Sequence, residues 1–406
     1  MIEPQKSATH RPLPKSATPA PMKREQIRFL TFEGGGGKGF AYLGALQALE
    51  DPRIGVLKYS EHPDTKLPVL TPGGRIQGIG GASAGAITAL LLSCGYSSSE
   101  IKKFMVGKDF DQFFDPAVPR MVPGPLAAGQ CAPRPVTVAG RLVQILQAVG
   151  GDGYALIAQL VKKYSKPPWS NPPVTTFIKE LPLYLMYLGE DMGLFSGCFA
   201  RHVFADVLQS RLPKGPSGES RYNATFQDHW DHFGILFGVT GTNLESGKSQ
   251  FFSVIETPDF PVADAVRISM GLPAVYKPYK IPNGRYKGVW VDGGLLNNIP
   301  FYEFEKRPGE NPKTLALRLE MEKYEEIQDF GDLFVRWFLM GFMGSGEAHI
   351  SESVISQTIL LDTQGLGLLD FKPDEKKRDE AIDRARSKTY EYFAGDLVPA
   401  SFPATG

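Results

Sequence analysis

The sequence predicts a three-layer α/β/α domain built on a largely parallel central sheet. Three observations carry that prediction. Short β-prone runs alternate with helical periods along the chain, the arrangement that covers a parallel sheet with helices. Two strand-to-helix junctions are glycine loops, at residues 33–39 and 81–85, where helix N-terminal N–H groups come free to meet an anion. With 42% hydrophobic and 22% charged side chains, the 406 residues have a globular composition, unlike a disordered, collagenous or coiled-coil chain.

Residues 1–24 are rich in Pro, Ser, Ala and Thr and carry five Lys and Arg against Glu3, so a flexible tail is expected, with order from Ile27. The β-prone run 27–32 stops at Glu33 and four glycines. Phe40, Leu43, Leu46 and Leu49 then recur at near-helical spacing, which predicts a helix over 39–50 with one buried face. The pattern repeats at 75–80, a short strand that enters Gly81-Ala-Ser-Ala-Gly85 and continues as an apolar helix to Gly95, a suitable C-cap. Further strands are expected at 235–240, 250–255, 288–291 and 314–319, and a helix over 262–270. Prolines crowd residues 116–190 around two apolar helical stretches, 141–164 and 177–188, which reads as an insertion serving as a cap or lid. The apolar, aromatic stretch 333–342 is expected to pack in the core or on a partner. Charge-dense 373–393 reads as a solvated terminal helix and 396–406 as a C-terminal tail, so the domain is expected to span 25–395.

Lys plus Arg equals Asp plus Glu at 44 each, which leaves no global field to attract nucleic acid, and none is expected as a partner. Cys94, Cys131 and Cys198 lack CxxC spacing and are expected to be free thiols. No apolar run approaches about 18 residues, so no membrane-spanning helix is expected, and no apolar stretch follows Lys6 and Arg11 as a Sec-type signal requires. These features predict a cytoplasmic protein, or one delivered by a non-classical secretion route, with any membrane contact peripheral. Asp228-His-Trp-Asp-His232 lacks the further His or Cys of a zinc site. Asp109, Asp111 and Asp115 lack the Gly and Glu of a calcium loop. Neither metal nor cofactor is expected.

Three segments carry chemistry. Gly81-Ala82-Ser83-Ala84-Gly85 matches G-x-S-x-G, in which glycines two positions either side of the serine let the chain turn sharply and expose the hydroxyl. In Gly34-Gly35-Gly36-Gly37-Lys38-Gly39, residues without side chains can aim successive N–H groups at an anion. A nucleotide phosphate loop would need Ser or Thr where Gly39 stands. A dinucleotide site would need an acid about 20 residues on, and Glu50, Asp51 and Glu61 all compete for that place. A tetrahedral oxyanion is the anion that also accounts for Ser83. Val291-Asp292-Gly293-Gly294 puts a carboxylate at the end of a strand, where a turn-forming role is the alternative. Ser83 needs a base, because a neutral hydroxyl is a weak nucleophile. Of the histidines only His349 follows Asp292, as a Ser, Asp, His order requires, and it sits within a helix-like segment. A carboxylate acting directly on the serine is the remaining economy.

Taken in order, Glu33-Gly-Gly-Gly-Gly-Lys-Gly, Gly81-Ala-Ser-Ala-Gly and Asp292-Gly-Gly resemble the three blocks of patatin-like phospholipases, lipid acyl hydrolases with a Ser-Asp dyad. Residues 262–273 are similar to that family's helix and proline before the catalytic Asp strand, and Asn298-Ile-Pro to the Asn-x-Pro after it. The resemblance covers about 27–115 and 190–395; residues 116–190 depart from the family's usual length. It implies Ser83 as nucleophile, Asp292 as general base, and the 34–39 loop, with Gly35 to Gly37 foremost, as the oxyanion hole. Gly81 and Gly85 shape the nucleophile turn, and Gly293 and Gly294 the acid turn. Lys38 stands where the family carries Arg or Lys, to steady the loop or to meet a lipid phosphate. The implied substrate is a lipid or phospholipid, taken from a membrane surface. The rivals are an esterase with a His349 triad, a lipid-binding scaffold without turnover, and a nucleotide-binding protein.

Overall fold

The computed structural model describes residues 20–71, 74–107, 113, 192–215, 217–304, 313–320, 352–367 and 372–396. The 116–190 insertion, Asp109, Asp111, Asp115, the 333–342 stretch, His349 and the outer parts of both tails lie outside these residues.

The main sheet is mixed, with most of its strands parallel. β12 (Thr358–Leu361), β11 (Thr314–Leu319), β1 (Phe29–Phe32), β4 (Gly78–Gly81) and β6 (Leu236–Asn243) run side by side in one direction. β10 (Gly288–Asp292) and β7 (Lys248–Ser253) pair antiparallel with β6, and β9 (Tyr279–Ile281) with β10. Two small sheets lie apart, β2 (Tyr59–Glu61) with β3 (Pro68–Leu70), and β5 (Gly193–Phe195) with β8 (Ala274–Tyr276).

Neighbouring side chains on a strand point to opposite faces, and β1 shows what covers each. Phe32 meets Tyr42 of helix α1 (Ala41–Glu50) edge-on at 5.2 Å, while Phe29 stacks on Phe304 at 5.2 Å across the sheet. Helix α2 (Ala84–Ser93) follows β4; α3 (Ser98–Gly107), α4 (Cys198–Arg211), α5 (Phe226–Phe233), α6 (Val262–Ser269), α7 (Glu352–Ile355) and α8 (Glu375–Tyr392) complete the described helices. The predicted sandwich of helices around a largely parallel sheet is therefore present. α2 ends as Gly95 suggests: Gly95 has φ +80°, its N–H donates to Leu92 O, and the N–H of Tyr96 donates to Leu91 O, the bond pair of a Schellman cap.

Several expectations shift. Packing begins before Ile27, since Met22 is buried and its N–H donates to Ser356 O. The first helix starts at Ala41 because Gly36–Phe40 winds as a 3-10 turn. The strand expected at 250–255 runs instead over Lys248–Ser253, ended by Thr257, whose hydroxyl accepts from Ser253 N–H and donates to Ser253 O. The terminal helix is not simply solvated: it buries Arg378, Ala381, Ile382, Ala385 and Thr389 in one stripe. Cys94 is free and buried, but Cys198 is disulfide-bonded, against the expectation of free thiols. Pairing of cysteines depends on proximity in the fold, which sequence spacing does not report.

Candidate active site

Topology brings the remote segments together on one edge of β6. β7 occupies the other edge over Gly238 to Asn243. On the shared edge β4 ends with Gly81 opposite Val239, and β10 arrives from the opposite direction to end with Asp292 opposite Gly241. Two residues of β6 separate these points, roughly 7 Å along an extended strand. The turn after β4 carries Ser83 into that gap.

The turn is tight for steric reasons. A Cβ on Gly81 would lie 2.4 Å from the Gly85 carbonyl, and one on Gly85 would lie 2.3 Å from Phe32 O of the neighbouring strand. Ser83 itself adopts φ 51°, ψ −122°, in backbone space that a non-glycine residue occupies at a cost of about 1–3 kcal/mol. It stands at the N-cap of α2, yet its side chain makes no capping hydrogen bond, so the hydroxyl is not committed to the helix as N-cap serines usually are. Its own N–H is held by Ser269 Oγ at 3.1 Å.

Asp292 is fully buried, and one carboxylate oxygen accepts from Gly294 N–H at 2.8 Å. Burial raises its carboxyl from the ordinary 3.8 to about 7, opposed by the Gly294 N–H and by the Ser83 hydroxyl. The second oxygen, Oδ2, has no hydrogen-bond partner of ordinary geometry. Ser83 thus stands close enough to favour the charged carboxylate.

The glycine loop lies against Ser83, and Asn298 links it to the turn after Asp292. Gly34 donates its N–H to Asn298 O at 3.0 Å and accepts from Asn298 Nδ2 at 3.2 Å, while the Lys38 N–H donates to Gly35 O. A Cβ on Gly34 would lie 3.0 Å from Ser83 Cβ, and one on Gly294 would lie 3.1 Å from Asp292 Oδ1. Gly39 packs on Ala84 at the start of α2, and Gly293 packs against the Thr240 backbone. Glu33 anchors the loop's entry, with Oε2 accepting the Leu319 N–H at 2.9 Å. Lys38 is buried, its ammonium 3.4 Å from Glu320 O, a position that ties the loop to the end of β11.

Among the other candidates, Asp228 forms a capping box with Thr225 at the start of α5. His229 of the same segment is buried, 3.0 Å from Ser93 Oγ. No group of three or more His, Cys, Asp or Glu among the described residues could hold a metal ion. No helix among them is long and apolar enough to cross a membrane. Sequence reasoning missed Ser269 and Gly271. Gly271 O accepts the Asp292 N–H at 2.9 Å, and nothing in the local pattern of α6 announces either contact.

A strained serine turn and a buried carboxylate on one edge of β6, with a glycine loop packed on the serine, sit within an α/β fold of mostly parallel strands. Residues 30–304 match the family described as patatin-like phospholipase, and the chain belongs to it. It is 26% identical over 165 residues to a probable lipid hydrolase, 463L, of invertebrate iridescent virus 6, a match covering 40% of this chain and 49% of that protein. The match thus spans about half the length of that relative. It is 23% identical over 364 residues to the uncharacterized protein YqhO of Bacillus subtilis, covering 88% of this chain and 95% of that one. Among solved structures it is similar to VipD from Legionella pneumophila, with 19% identity, a TM-score of 0.47 and coverage of 91% of this chain and 67% of that one.

Proposed function

We propose that this chain is a lipid acyl hydrolase that cleaves fatty-acyl esters with Ser83 as nucleophile and Asp292 as base. The observation that carries this reading is the convergence of the Ser83 turn and Asp292 on one edge of β6, with Gly34 of the glycine loop packed on Ser83. Asp292 takes the Ser83 proton as Oγ attacks the acyl carbonyl, and an acyl-enzyme forms as the leaving alcohol takes that proton back. Water, deprotonated by the same carboxylate, then releases the fatty acid. A carboxyl near 7 suits this work, because it is a stronger base than an ordinary carboxylate and still ionises near neutral pH. Gly34 and Lys38 have their N–H groups engaged within the protein, so we assign oxyanion stabilisation to Gly35, Gly36 and Gly37. Each such donor is typically worth about 3 kcal/mol at the transition state. Lys38, tied to Glu320, steadies the loop rather than meeting a lipid phosphate. Phospholipid at a membrane surface is the proposed substrate.

The test is hydrolysis of phospholipid vesicles and of a short-chain chromogenic ester, in EDTA and in calcium. Ser83→Ala and Asp292→Asn are each expected to lose about 1,000-fold or more in kcat, with EDTA tolerated. Full activity in Asp292→Asn would refute the assigned base. Binding of vesicles with no turnover by any form would make the protein a lipid-binding scaffold instead.

A further inference from the structure

The two proposed reacting residues are far apart in sequence, yet both are tied by backbone N–H groups to one short stretch of chain. Ser83 donates its N–H to Ser269 Oγ at 3.1 Å, across 186 residues of sequence. Asp292 donates its N–H to Gly271 O at 2.9 Å. Ser269 ends α6, Met270 caps it, and Gly271 opens the following loop. That helix end is itself firmly placed. Ser269 is fully buried, Gly271 N–H donates to Ile268 O, and a Cβ on Gly241 of β6 would lie 2.8 Å from Ile268 Cγ2.

We infer that Ser269 is a positioning residue, whose hydroxyl holds Ser83 in its strained turn, and that the 269–271 segment sets the distance between nucleophile and base. The inference rests on the reading of Ser83 and Asp292 given above. The physical need is plain. A residue at φ 51° relaxes unless its surroundings over-determine it, and a displacement of about 1 Å at a reacting atom can cost 100-fold in rate. The helix following Ser83 engages only its carbonyl, with Ala86 and Ile87 N–H groups donating to it. The N–H side of the residue is fixed by a side chain from another element. Loss of that acceptor leaves a buried N–H unsatisfied at the strained residue and lets the turn rotate, which moves Oγ from the carboxylate.

Two readouts test this in the full chain. Steady-state hydrolysis by Ser269→Ala is expected to show kcat lowered about 10-fold or more with KM within twofold of the parent, and Ser269→Thr, which keeps the hydroxyl, is expected to restore it. Amide hydrogen exchange at Ser83 is expected to accelerate at least tenfold in Ser269→Ala while Leu90 and Leu91 in α2 are unchanged. If Ser269→Ala does not fold, Ser269→Cys, near-isosteric and a poorer acceptor, is measured the same way, with an intermediate loss expected. Unchanged exchange at Ser83, or kcat within twofold of the parent, overturns the inference. If the parent hydrolyses no ester, the proposed function fails, and the exchange experiment alone decides whether Ser269 anchors Ser83.

Discussion

Burial of Asp292 at the end of β10 lifts its carboxyl to about 7, and that shift has a sign for stability. The unfolded chain ionises this group above about 3.8, whereas the folded protein keeps its proton until about 7. Between those values the folded state binds more protons, so this residue's contribution to stability is present at low pH and declines as pH rises toward 7. Asp292→Asn removes that burden. It is expected to raise stability at pH 8 by on the order of 1–3 kcal/mol in urea unfolding, while hydrolysis is lost. An Asn variant no more stable than the parent at pH 8 would show that the carboxylate is better solvated than its burial indicates. Opposed effects on stability and activity are what a strained or desolvated site produces.

Helix α8 shows what element-scale packing adds. Its stripe of Ala381, Ile382 and Ala385 was visible in the sequence, but its destination was not: it crosses α1 so closely that a Cβ on Gly44 would lie 1.9 Å from Ile382 O and 2.7 Å from Arg386 N. Those neighbours are backbone atoms and cannot swing away. Gly44→Ala is therefore expected to push the helices apart and to cost about 1–3 kcal/mol, read as a lower Tm with hydrolysis per folded molecule little changed. An unchanged Tm would mean that the two helices do not meet at Gly44. The same contact explains why a helix dense in charge, with ion pairs such as Lys388 to Glu391 on its exposed side, packs one stripe into the core and is not simply solvated.

At the scale of the whole molecule, two histidines on α5 contribute to acid sensitivity. Burial lowers His229 from the ordinary 6.5 to about 3, and His232, stacked on His62 at 4.1 Å, to about 4. Both are held neutral in the fold and become protonated readily in the unfolded chain. Their contribution is complete above about 6.5 and is lost as pH falls toward 3 and 4, at up to about 1.4 kcal/mol per pH unit for the buried His229 and less for His232, which solvent screens. His229→Leu is expected to flatten the fall in stability between pH 6 and 4, measured by urea midpoints. An unaltered acid limb would place its origin elsewhere.

Sequence by itself determined the local chemistry. Four glycines after a β-prone run, Gly81 to Gly85 around Ser83, and Asp292 before two glycines each dictate a turn through sterics that act over a few residues. Alternation of strand and helix periods likewise determined the α/β/α class. Tertiary structure decided everything that needed residues distant along the chain. It put β4 and β10 on the same edge of β6, turned Ser269 toward Ser83, buried His229 against Ser93 and paired Cys198. It also added β12, which the hydropathy pattern did not reveal. The physical reason is the same in each case: periodicity and turn sterics are properties of neighbours in sequence, whereas register, burial and a carboxyl's affinity for its proton depend on what the completed sheet places alongside.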